Sequence, residues 1–253
     1  MSHEPTGVIS PKIAEMPDVA PGHERAVRNG LAGRRRAAAS KSQRRRGSEY
    51  YDTILWRARP QSAASDRAFT LAVTGCDRRS GVSTVAANLA IRAADHHQSP
   101  VLIIDGNLEN PSVARTFRLD HAPGFTELLS GECTLGEAIH ASSVEGLSVL
   151  PLGDRGLVDR TRVDAGYVGN LFEELGGEFA TIVVDLPPVD QLRHGLLLAK
   201  QSDAALLVVR SEATRARAAR AATEQLTGDG VNVAGAVVTA RKNYLPRWFR
   251  RWL

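Results

Sequence analysis

Two runs in the second half of this chain, ATIVVD over Ala180–Asp185 and AALLVV within Ala204–Arg210, are apolar at consecutive rather than alternate positions. A strand with one wet face shows alternation, so a strand without polar positions has both faces covered. Further candidate strands stand at Phe69–Gly75, Val101–Asp105, Leu147–Leu150 and Val231–Thr239. The stretches around them read as helices: Glu49–Arg59, Ser83–Ala94, about Ser112–Phe117, Thr126–Ser130, Leu135–His140, about Ala165–Leu175, Gly195–Gln201 and Thr214–Leu226. Pro187-Pro188 ends the ATIVVD strand, because proline cannot donate to the ladder. The alternation predicts a doubly wound, mostly parallel α/β sheet with helices on both faces.

The 253 residues, 43% hydrophobic and 24% charged, suit one such domain with tails. The longest apolar runs, such as Ala204–Val209, fall far short of the roughly 18 residues a membrane span needs. No apolar segment follows the charged N-terminus, which argues against a secretory signal. Two cysteines, Cys76 and Cys133, make no disulfide framework and favour a reducing cytoplasm. The expectation is a soluble, cytoplasmic protein.

The net charge of +4 divides unevenly. Residues 1–48 hold ten Lys/Arg against four Asp/Glu, and the rest holds 22 against 24. The basic balance therefore belongs to an arm, not to the domain. That arm has no hydrophobic periodicity and carries the triplets Arg34–Arg36 and Arg44–Arg46, so it reads as disordered. A solvated arm is favoured over one that touches anionic lipid, and nucleic acid is not an expected partner. The domain is expected over 49–240, followed by a basic aromatic tail over 241–253. The tail joins Arg241, Lys242, Arg247, Arg250 and Arg251 with Tyr244, Trp248, Phe249, Trp252 and Leu253. Such a mixture suits an anionic membrane surface or a membrane partner, and equally a segment folded back over the sheet edge.

In doubly wound sheets ligands bind beyond the carboxyl ends of the strands. There the first domain strand runs into Cys76-Asp77-Arg78-Arg79-Ser80-Gly81-Val82-Ser83-Thr84 and a helix. Backbone N–H groups and the helix dipole at such a turn favour a phosphate. Two further strands end in Asp105 and Asp185, and a carboxylate beside a phosphate loop holds Mg²⁺. The loop departs from G-x-x-x-x-G-K-[ST]: Cys76 opens it and Val82 stands at the lysine. On these residues alone a plain strand-to-helix turn competes with a nucleotide site. His96-His97 lack ligands at metal spacing, His194 reads as structural, and Cys76 lacks a partner base.

Together the motifs change the balance. SGVSTVAANLA, VLIIDGNLENPSV, PGFTELLSGECTLGEAI, GLSVLPLG, FATIVVDLPPV and LLLAKQSDAALLVVRSEAT occur in order over Glu49–Pro246. In sequence and spacing they resemble the cytoplasmic domain of the bacterial tyrosine kinases (BY-kinases) of exopolysaccharide and capsule synthesis, relatives of the ParA/MinD positioning ATPases. The resemblance implies a P-loop fold that binds ATP or ADP with Mg²⁺. It implies a phosphate site at Cys76, Arg78, Arg79, Ser80, Gly81, Val82, Ser83 and Thr84, metal ligation by Ser83, Asp105 and Asp185, and catalytic roles for Asp105 and Asp185. It implies as partner a membrane chain-length-determinant (polysaccharide co-polymerase) protein, and so a place at the inner face of the membrane.

The departures point away from full activity. Val82 replaces the lysine, Arg79 a glycine, and Asn107 the second acidic residue of the strand-end motif, with Glu109 at the basic position after it. The oligomerisation motif E-x-x-R-x-x-R is kept only at Glu49, with Asp52 and Leu55 following, which leaves self-association open. Thr239 stands for an asparagine at the end of the last strand, and the tyrosine-rich tail is absent. The resemblance therefore implies impaired or lost tyrosine phosphotransfer, with a non-enzymatic scaffold and a positioning ATPase as the alternatives.

Overall fold

A computed structural model describes residues 13–15, 49–59, 67–97, 99–119, 122–156, 164–193, 195–211 and 213–240. Most of the arm, the tail 241–253 and His194 therefore lie outside the described residues. The strands are β1 (Ile13–Glu15), β2 (Phe69–Gly75), β3 (Val101–Asp105), β4 (His140–Ala141), β5 (Leu147–Leu150), β6 (Thr181–Asp185), β7 (Ala204–Arg210) and β8 (Val233–Thr239). The helices are α1 (residues 49–58), α2 (Val82–His97), α3 (Val113–Phe117), α4 (Phe125–Ser130), α5 (Leu135–Ala138), α6 (Ala165–Glu178), α7 (Gly195–Lys200) and α8 (Ala216–Gly228). One sheet runs β1-β8-β7-β2-β6-β3-β5-β4, parallel except for β4 against β5. No helix among the described residues is long and apolar enough to cross a membrane.

The lack of polar–apolar alternation in the strands now has its cause. Leu71, Val73, Val101, Ile103, Val149 and Val183 face one core with α1 and α2, while Ala72, Leu102, Ile104, Ile182 and Val184 face a second with α6, α7 and α8. Successive side chains of a strand point to opposite faces, so each strand feeds both cores. By the same period Asp105 and Asp185, two residues beyond Ile103 and Val183, lie on the face covered by α2.

The structure differs from expectation at the edges. The segment read as a helix over Leu135–His140 ends at Ala138, and His140–Ala141 pairs antiparallel with β5. Within the arm Ile13–Glu15 adds a parallel strand to β8, an open edge whose unpaired backbone groups accept one. Helix α1 is fixed by an ion pair that sequence spacing does not show. The Arg92 guanidinium donates from Nε and Nη2 to both Asp52 oxygens at 2.9 and 2.8 Å, and His96 Nε2 lies 2.9 Å from Asp52 Oδ1. Burial alone would raise the Asp52 carboxyl, but Arg92 and His96 outweigh it and hold it below its ordinary value. Asp52, which stands at an arginine of the oligomerisation motif, is thus tied to α2 of its own chain.

Candidate functional site

The site is built where β2, β6 and β3 end side by side. Strand β2 sits between β7 and β6, and the chain leaves it through residues 76–81 into α2. Arg79 and Gly81 both adopt left-handed backbone, with φ of 62° and 93°. Gly81 does so freely, whereas Arg79 bears a cost of about 1 kcal/mol. The turn is therefore kept at a position where the resemblance expects glycine and this chain has arginine. Such handed turns point N–H groups into one concavity.

The four N–H groups from Gly81 to Thr84 have no hydrogen-bond acceptor among the described residues. They open a 16-residue helix without a carboxylate in its first turn. A helix N-terminus so presented favours an anion. Arg78 and Arg79 are exposed beside it, Ser83 is partly exposed and Thr84 exposed. Cys76 is half-buried, and burial with the neighbouring Asp77 pushes its thiol up to about 11, so it is no nucleophile.

Val82 is turned away from this concavity. It is 8% exposed and packs in the core under α2, and its Cγ2 lies 2.8 Å from where a Cβ on Gly75 would stand. The lysine position thus carries no charge and contributes only its N–H. Ser80 is buried with its hydroxyl unpartnered, against the same Gly75 position.

The two carboxylates are register partners on adjacent strands, Asp105 opposite Asp185. They differ in what they meet. Asp105 accepts three backbone hydrogen bonds, from Asn107 at 3.1 Å, Ser112 at 3.0 Å and Val113 at 2.9 Å. It thereby shapes the 106–113 loop, and burial still raises it to about 6. Asp185 is fully buried and neither oxygen has a hydrogen-bond partner. Burial, then the charge of Asp105, push it up to about 8, while the Ser83 hydroxyl pulls the other way without reaching hydrogen-bonding geometry. An orphan carboxylate of this kind is stabilised by a proton or a cation.

No group of three or more His, Cys, Asp or Glu side chains able to hold an ion occurs among the described residues. A cation at Asp185 therefore needs the Ser83 hydroxyl and the ligand's own oxygens, a donor set of hard oxygens that fits Mg²⁺. Asn107 does not add to it: its Oδ1 accepts from Asn110 N–H at 3.0 Å within the loop.

Two threonines, Thr214, which the sequence did not single out, and Thr239, noted there only as replacing an asparagine, hold the 76–81 loop to the other half of the sheet. Thr214 donates to Asp77, and Thr239 donates to the Ser80 carbonyl. For Thr214 the one signal was its place in the loop that follows β7.

The fold is a doubly wound α/β fold of the P-loop NTPase type. Structures of that class share the fold. The kinase domain of Escherichia coli tyrosine kinase ETK superposes with a TM-score of 0.67 at 23% identity, covering 79% of this chain and 78% of that one. The septum site-determining protein MinD with Mg-ADP from Pyrococcus horikoshii gives 0.60 at 21%, covering 73% and 76%. In sequence the chain is similar to bacterial proteins named tyrosine-protein kinase. It is 29% identical to tyrosine-protein kinase YwqD of Bacillus subtilis over 77% of this chain and 81% of that protein. It is 28% identical to tyrosine-protein kinase ptk of Acinetobacter johnsonii over 69% of this chain but 24% of that protein. No family model matches the chain.

Proposed function

We propose that the chain binds Mg-ATP or Mg-ADP weakly at Cys76–Thr84, with most or all tyrosine phosphotransfer lost. In this reading it serves exopolysaccharide or capsule assembly as a regulatory partner of a membrane chain-length-determinant protein. The observation that carries it is one combination: unpartnered N–H groups over Gly81–Thr84, an orphan carboxylate at Asp185, and a buried valine where a lysine would act.

Each residue then has a role. The Gly81–Thr84 N–H groups hold phosphate oxygens, and Ser83 with Asp185 hold the metal. Bound Mg²⁺, which Ser83 and Asp185 would hold, would supply positive charge to offset the negative charge of phosphate and carboxylate. Asp105 keeps the neighbouring loop in place through its backbone hydrogen bonds. Asn107 is neutral and accepts no proton as a base. The missing ammonium removes a charged hydrogen bond of about 1.5–3 kcal/mol, one to two decades in affinity. Arg78 and Arg79 are the positive charges that remain at the loop. The five basic residues of 241–253 add about 1 kcal/mol each at an anionic surface, enough to keep the protein at the inner membrane face.

Calorimetry of the full chain with Mg-ATP and Mg-ADP tests the site. Millimolar or tighter binding that Asp185→Ala abolishes supports it. No heat with either nucleotide, or equal affinity in Asp185→Ala, overturns it.

A further inference from the structure

Thr239 closes β8, beside the turn that follows β7: its carbonyl accepts from Ser211 N–H at 2.8 Å. Its hydroxyl has one proton, and the carbonyl of Ser80 lies 2.6 Å away, against 3.5 Å for that of Val209. The proton therefore goes to Ser80. The Thr239 methyl lies under the next residue, 3.8 Å from where a Cβ on Gly81 would be.

The Ser80–Gly81 peptide is trans, as are all peptides of the described residues. In a trans peptide C=O and N–H point in opposite directions. Fixing the Ser80 carbonyl on Thr239 therefore turns the Gly81 N–H away from β8, where it meets no protein acceptor. Among the described residues no other hydrogen bond holds this peptide: the Ser80 hydroxyl is buried without a partner, and Gly81 has no side chain.

We infer that Thr239 is a positioning residue for phosphate binding, its hydroxyl holding the Ser80–Gly81 peptide so that the Gly81 N–H faces the anion. The inference rests on the nucleotide site proposed above and names the residue that presets its backbone. A preset donor binds without first spending free energy on turning the peptide.

The test compares Thr239→Val, which keeps the shape and removes the O–H, with Thr239→Ser, which keeps the O–H. Affinities of the full-length chain for inorganic pyrophosphate and for ADP, each with Mg²⁺, are measured by calorimetry. Thr239→Val is expected to weaken both ligands by the same factor, about fivefold, and Thr239→Ser to restore both to within about twofold. Unchanged pyrophosphate affinity in Thr239→Val overturns the inference while leaving the nucleotide site standing. A loss confined to ADP also overturns it, since Thr239 then acts on the base. A loss that Thr239→Ser does not restore assigns the effect to packing and overturns it as well. If the wild-type chain binds neither ligand, the nucleotide site falls and this inference with it.

Discussion

Replacing Val82 with lysine moves stability and affinity in opposite directions, and the structure sets both magnitudes. Val82 is 8% exposed within the α2-side core, in contact range of the Gly75 backbone. An ammonium cannot stay there, so the lysine must swing toward the loop and leave the valine's place poorly filled. Removing a buried valine side chain costs about 1.5–3 kcal/mol. In a fold of this size that lowers the melting midpoint by about 4–10 °C. At the loop the same ammonium gains charged hydrogen bonds to phosphate, each about 1.5–3 kcal/mol, or about ten- to a hundredfold in Kd. Thermal melts with and without Mg-ATP, followed by calorimetry, read both effects. Val82→Ala should lose stability without gaining affinity, which separates the charge from the cavity. A cooperatively folded Val82→Lys whose ATP affinity matches wild type within about twofold would refute the reasoning. Val82→Lys alone should transfer little phosphate, because Asn107 stays neutral. Adding Asn107→Asp should raise turnover beyond either single change, since both groups serve one transition state.

Asp185 is held above its unfolded value of 3.8, at about 8, so its stabilising contribution is complete below 3.8 and is lost as pH rises through about 8. Asp185→Asn should therefore melt above wild type at pH 8 without Mg²⁺, and Mg²⁺ should raise the midpoint of wild type alone; equal pH profiles for the two proteins would count against this. Arg92→Ala should cost about 1–3 kcal/mol by freeing α1, seen as a lower midpoint and faster proteolysis within residues 49–59. The full chain should float with vesicles containing phosphatidylserine and lose that binding at high salt, whereas a chain ending at Thr239 should not float; equal flotation would remove the tail as the anchor.

The strands were legible because burial on both faces removes the polar–apolar alternation, a pattern visible in ATIVVD and AALLVV without any partner strand. Phe69–Gly75, Val101–Asp105 and Leu147–Leu150 stand in the structure with the bounds their apolar runs suggest. Strand β4 was not legible: His140–Ala141 becomes a strand only because β5 offers an edge, a tertiary cause that two residues cannot encode. Helix α2 runs on to His97, beyond the Ala94 that periodicity suggests, with Arg92 and His96 engaged by Asp52 of a distant helix. At the site, the loop and both strand-end aspartates could be found from sequence, but not their difference. Only the three-dimensional placement of Ser112 and Val113 shows Asp105 engaged by backbone donors and Asp185 left bare. The inward turn of Val82 and the hydroxyl of Thr239 on Ser80 likewise follow from packing rather than from spacing.

Binding without transfer is the central claim, and the most direct measurement follows the γ-phosphate of labelled ATP at saturating nucleotide with Mg²⁺. The expected result is ATP retained by the wild-type chain with no labelled tyrosine, on itself or on an added tyrosine peptide. Label appearing on tyrosine at rates typical of kinases, and lost in the Arg78→Ala, Arg79→Ala variant, would contradict it, since an arginine would then do the work of the missing lysine.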